Sequence, residues 1–78
     1  MEFQQINSSN LESAAYDPKK RELIVRFKNG TAYKYFKCMA SLWKKFLKEF
    51  DGLDGRSAGS FFFKYIKKLK CEQLENWK

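Results

Sequence analysis

Leu23-Ile24-Val25-Arg26-Phe27-Lys28-Asn29-Gly30-Thr31-Ala32-Tyr33-Lys34-Tyr35-Phe36 reads as two strands joined by a tight turn. Leu23, Val25 and Phe27 alternate with Ile24 and Arg26, the period of two that sends successive side chains to opposite faces of a sheet. Thr31, Tyr33 and Tyr35 alternate with Ala32, Lys34 and Phe36 in the same way. Asn-Gly between two such runs is the strongest short hairpin signal, because both residues tolerate positive φ. Loop length then sets which face the tyrosines occupy. A two-residue Asn29-Gly30 turn pairs Tyr33 with Arg26 and Tyr35 with Ile24, leaving an aromatic platform available for stacking on bases. A three-residue Lys28-Asn29-Gly30 loop, with glycine in the left-handed bulge position, shifts the pairing by one. Both tyrosines then join Leu23, Val25 and Phe27, which gathers the five bulkiest positions on one face.

Upstream, residues 11–16 read as a weaker strand ended by the turn Asp17-Pro18-Lys19-Lys20, and residues 3–7 suggest a fourth. Downstream the period changes. Met39, Leu42, Trp43, Phe46, Leu47 and Phe50 recur at helical spacing over 39–50, with Lys44, Lys45 and Lys48 on the opposite side. Asp51-Gly52-Leu53-Asp54-Gly55 stops that helix. Ser57 is a suitable N-cap for a second helix reaching about residue 70 or further, with Phe61, Phe62, Tyr65, Ile66 and Leu69 on one arc. Strands followed by helices give an α+β fold. The expected form is an antiparallel meander of three to four strands with two C-terminal helices packed on one face.

The chain is one domain of 78 residues with 44% hydrophobic and 18% aromatic content, enough to form a compact core without staples. Histidine is absent, which removes the commonest general base and metal ligand. Two cysteines make neither a zinc site nor a disulfide framework, and reduced cytoplasmic thiols are the default. Asp51 and Asp54 lack the ligand series of a calcium loop and any companion nucleophile or base, so a solvated turn is expected. No run approaches the roughly 20 apolar residues that span a bilayer, and nothing resembles a signal peptide. A non-enzymatic protein with no cofactor, metal, membrane or small-molecule substrate is expected.

Charge is distributed unevenly. The net charge is +7, and residues 18–48 alone carry ten Lys and Arg against Glu22. Such a cationic segment suits phosphate backbones or another acidic surface, although lysine-rich faces also serve solubility alone.

The ordered pieces Ser8-Ser9-Asn10-Leu11, Tyr16-Asp17-Pro18, Leu23-x-Val25-x-Phe27, Gly30, Tyr33-Lys34-Tyr35, Ser57-x-Gly59, Phe61-Phe62 and Ile66-Lys67 resemble a KTSC domain. That family takes its name from the C-terminal domain of some lysyl-tRNA synthetases and includes small stand-alone bacterial and phage proteins. The resemblance runs over about 6–68, leaving 69–78 as a C-terminal helical extension. Cys38-Met39 stands where a Val-Pro step is usual, the 51–56 loop is longer than usual, and Phe63 replaces a small polar residue. The resemblance implies a fold and hints at RNA through the synthetase association, without an established activity.

RNA or another polyanion is therefore the expected partner, bound mainly through phosphates. The basic positions are Arg26, Lys28 and Lys34 on the sheet, Lys44, Lys45 and Lys48 on the first helix, and Arg56, Lys64, Lys67 and Lys68 around the second. Tyr33 and Tyr35 are candidates for stacking. Arg56, Ser57, Gly59 and Ser60 open the second helix and form either a phosphate pocket or simply a cap with a close-packing glycine. The competing class is a protein-interaction module, docking on a host protein or on itself. Its candidate surface is Phe63, Lys70, Leu74 and Trp77, one stripe if the second helix continues to the end.

Overall fold

The computed structural model describes residues 2–51 and 57–74. Five antiparallel strands form one sheet in chain order: β1 (Gln4–Gln5), β2 (Leu11–Asp17), β3 (Glu22–Phe27), β4 (Ala32–Tyr35) and β5 (Cys71–Leu74). Helix α1 (Ala40–Leu47) and helix α2 (Ser57–Phe61), which continues into a π-helical turn at Phe62–Ile66, cover one face. The fold is α+β, with one strand more and shorter helices than the sequence suggests.

The central hairpin takes the three-residue loop. Phe27 N–H donates to the Thr31 carbonyl at 2.8 Å and Gly30 N–H to the Phe27 carbonyl at 3.1 Å. Gly30 sits at φ +93°, in open space, so its backbone angle and not crowding is what calls for glycine. Asn29 Oδ1 accepts from the Thr31 N–H and hydroxyl, fixing the loop from within. Leu23 therefore lies opposite Tyr35 and Val25 opposite Tyr33, on the helix-covered face.

Strand β2 reads weakly in sequence because it is bulged. Leu11 pairs with Phe27 and Ser13 with Arg26, so Glu12 is the extra residue. The bulge lets Leu11 and Ala14, three apart, share the core face with Tyr16. Just before β2, Ser8 Oγ accepts from the N–H groups of Asn10 and Leu11, and the Cα of Gly59 in α2 faces this turn. Two of the short motifs thus meet in space.

Phe46 is the centre of the core. Fully buried on α1, it contacts the rings of Trp43, Phe50, Phe61 and Phe62. Phe62 and Ile66 of the π turn are buried as well, with Phe62 edge-on to Phe27 and Tyr35 of the sheet. Met39, by contrast, precedes α1 as its N-cap and is exposed, at ψ 147° and at φ −69°, the φ a proline would impose. Tyr65 also leaves its expected arc. The π turn closes by Lys67 N–H to the Phe62 carbonyl, five residues apart, and this wider turn moves Tyr65 out to solvent.

Over 69–74 the expected helical extension does not form. Residues 71–74 instead make β5, pairing Tyr35 with Cys71 and Ala32 with Leu74. Glu-Gln-Leu favours helix, yet the open edge of β4 offers a ladder of backbone partners that outweighs weak propensity. Residues 75–78 lie outside the described residues.

The two thiols differ sharply. Cys38 is completely buried, and that burial pushes its thiol up to about 11, while Cys71 is exposed on β5. Tyr16, whose hydroxyl donates to the Cys38 carbonyl at 2.6 Å, is also raised, mainly by burial. A folded pKa above the unfolded one means full stability below the ordinary value of 9.0 and loss as pH rises toward 11. Wild type should accordingly lose about 2 kcal/mol more than Cys38→Ala between pH 8 and pH 10.5 in urea unfolding. Parallel pH profiles for the two proteins would contradict this.

Candidate functional site

The fold sorts the basic residues by the acids they meet. On the sheet face away from the helices, Arg26 and Lys34 are half-buried and matched by carboxylates. Arg26 Nη2 lies 3.5 Å from Glu12 Oε2, and its guanidinium sits 5.6 Å from the Phe3 ring centre. Lys34 Nζ lies 3.7 Å from Glu22 Oε1 and faces Glu72 across the β4–β5 ladder. Each of these partly solvated pairs contributes little stability, about 0–1 kcal/mol. Their consequence is charge balance, so the outward face of the sheet contributes little to a cationic surface.

The helical layer is different. Lys44, Lys45, Lys48, Lys64, Lys67 and Lys68 are all exposed, and none makes an ion pair among the described residues. Lys44 and Lys45 occupy the last turn of α1, where the helix dipole favours cations. Residues 57–70 contain four lysines and no acid.

The π turn interleaves aromatic rings with these lysines. Phe63 is 54% exposed and Tyr65 41%. The Lys67 ammonium lies 4.9 Å from the Phe63 ring centre, and the Lys68 ammonium 5.9 Å from that of Tyr65. Such exposed cation–π contacts are worth about 0.5–1 kcal/mol, against about 1–3 kcal/mol for a nucleobase stacked on an aromatic ring. An arriving base can therefore displace the ammonium and free it for a phosphate.

Two open clefts flank this turn. One of about 460 Å³ lies at the hairpin end of the sheet between Phe63 and the loop Lys28-Asn29, with Phe27, Ser9 and Asn10 completing it. The other, about 440 Å³, joins Glu49 of the α1 exit to Ser57, Ser60, Phe61, Lys64 and Tyr65. Glu49 sets a carboxylate beside Ser57 and Ser60, which works against an anion there. A Cβ at Gly59 would meet only the Ser8 hydroxyl, at ordinary van der Waals distance, and Arg56 lies outside the described residues.

Other sequence-derived sites change in the fold. Tyr35 is buried and cannot stack on a base; Tyr33 is half-buried between Phe27 and Tyr35. The stripe Phe63, Lys70, Leu74 and Trp77 is broken, since Leu74 is a half-buried strand residue opposite Ala32 and Trp77 lies outside the described residues. Phe63 remains exposed on the π turn and Lys70 on the segment leading into β5. Lys19, Lys20, Arg21 and Lys37 form a further exposed basic group at the other end of the sheet, where Cys38 N–H donates to the Arg21 carbonyl. No helix among the described residues is long and apolar enough to cross a membrane.

Comparison with known proteins agrees with this architecture. The family model described as KTSC domain matches residues 7–69. Among solved structures, a KTSC domain protein from Yersinia pestis is similar at 29% identity and a TM-score of 0.77, over 94% of this chain and 96% of that one. No curated protein matches.

Proposed function

The chain belongs to the KTSC domain family, and on that premise we propose that it is a non-enzymatic module binding RNA through phosphate contacts. The observation that carries this reading is the sorting of charge. The exposed lysines of the helical layer make no ion pair among the described residues, while Arg26 and Lys34 on the sheet's outer face are matched by Glu12 and Glu22. A surface meant only for solubility gains nothing from such separation, because interspersed signs serve it as well. A polyanion gains directly, since each neutralised phosphate releases counterions.

Lys44, Lys45, Lys48, Lys64, Lys67 and Lys68 are the phosphate contacts in this reading, and Lys28 extends them toward the hairpin. Arg26 and Lys34 contribute less, held by their carboxylates. Gel shift with a single-stranded RNA of mixed sequence tests it. For about six contacts, affinity should fall by roughly a few hundred-fold between 50 and 200 mM salt. No binding at about 50 mM salt would remove the proposal.

A further inference from the structure

We infer that the cleft beside Phe63 seats a single base of single-stranded RNA, a proposal that rests on the RNA-binding reading and assigns it a base-contacting residue. The Phe63 ring is more than half exposed and projects from the π turn at the rim of a cleft of about 460 Å³. Phe62 supports it edge-on from the core at 5.6 Å, so the ring is braced and not free to fold away. Lys67 already lies over the ring, and Lys28 lines the opposite wall, so a base entering here brings its flanking phosphates between two cations. That charge match selects a nucleic acid over an apolar peptide segment.

The cleft also carries polar groups fitted to a base edge. Asn29 Oδ1 is occupied by Thr31, which leaves the amide nitrogen of Asn29 without a partner among the described residues. The Asn10 backbone is fixed on both sides, its N–H donating to Ser8 Oγ and its carbonyl accepting from Lys28 N–H, while its side-chain amide has no described partner. Stacking on Phe63 with amides at the rim suits a splayed base. A paired duplex cannot present one, so the cleft gives a preference for single strands.

Binding of a single-stranded RNA 12-mer and of an RNA duplex of equal length should be compared for wild type, Phe63→Ala and Phe63→Trp. Phe63→Ala is expected to weaken single-strand binding about tenfold and leave duplex binding unchanged. Phe63→Trp should retain single-strand binding, with tryptophan emission quenched by the single strand only. Thermal melts check that both variants fold, as the exposed position leads one to expect. Equal single-strand affinity for wild type and Phe63→Ala, or equal losses on both RNAs, would overturn the base cleft and leave the phosphate surface standing. Wild type that binds neither RNA would overturn both proposals.

Discussion

Reversing Lys44, Lys45 and Lys48 to Glu should abolish most RNA affinity, by on the order of 100-fold or more at about 50 mM salt. The change removes three of the proposed phosphate contacts and adds three negative charges on the exposed side of α1 and its C-cap. Its fingerprint is the salt slope. With about three contacts left, the loss between 50 and 200 mM salt should shrink to roughly twentyfold. The fold should survive, because the three side chains make no ion pair among the described residues. Reversal of Arg26 and Lys34 provides the contrast, with a much smaller effect expected on binding. If the sheet pair mattered as much as the helical triple, the charge sorting that supports the RNA reading would have no functional meaning.

Phe46→Ala should be the most destabilising single truncation, at about 3–5 kcal/mol. A domain of this size has about 4–12 kcal/mol in total, so the variant stands close to its unfolding threshold. The ring is fully buried and joins α1 to both α2 and the π turn through four aromatic neighbours. Its removal leaves a void that the sheet cannot collapse to fill. Circular dichroism melts should show a fall of about 15–30 °C, against a few degrees at most for Phe63→Ala. A loss below about 1 kcal/mol would place the centre of the core elsewhere.

How legible this was in the sequence depends on which force set each element. The β3–β4 hairpin and α1 are written locally, in alternation around Asn29-Gly30 and in the spacing of Leu42, Trp43, Phe46 and Phe50. The family resemblance over about 6–68 likewise holds. Strand β5 is not written locally, because Cys71-Glu72-Gln73-Leu74 continues helical spacing and becomes a strand only when β4 presents an open edge. Tyr65 was misplaced by a turn that closes over five residues, which no 3.6-residue pattern encodes. The candidate surface was half legible. Which residues are basic is plain, but Arg26 meets Glu12 through a bulge, and Lys34 meets Glu22 diagonally across a register the loop had to fix first. Phe63 could be named from the helical wheel, whereas its cleft needs the hairpin loop brought beside it.

Strand order that follows chain order has a consequence for synthesis on the ribosome. The β1–β4 meander can zip together hairpin by hairpin as it emerges, each strand meeting a neighbour already made. Strand β5 belongs to the same sheet but arrives only after both helices, so the outer edge of β4 is the last ladder to close. Until then Ala32–Tyr35, carrying two tyrosines, is a bare template for any other nascent chain. Capping of that edge by β5 ends this aggregation-prone interval.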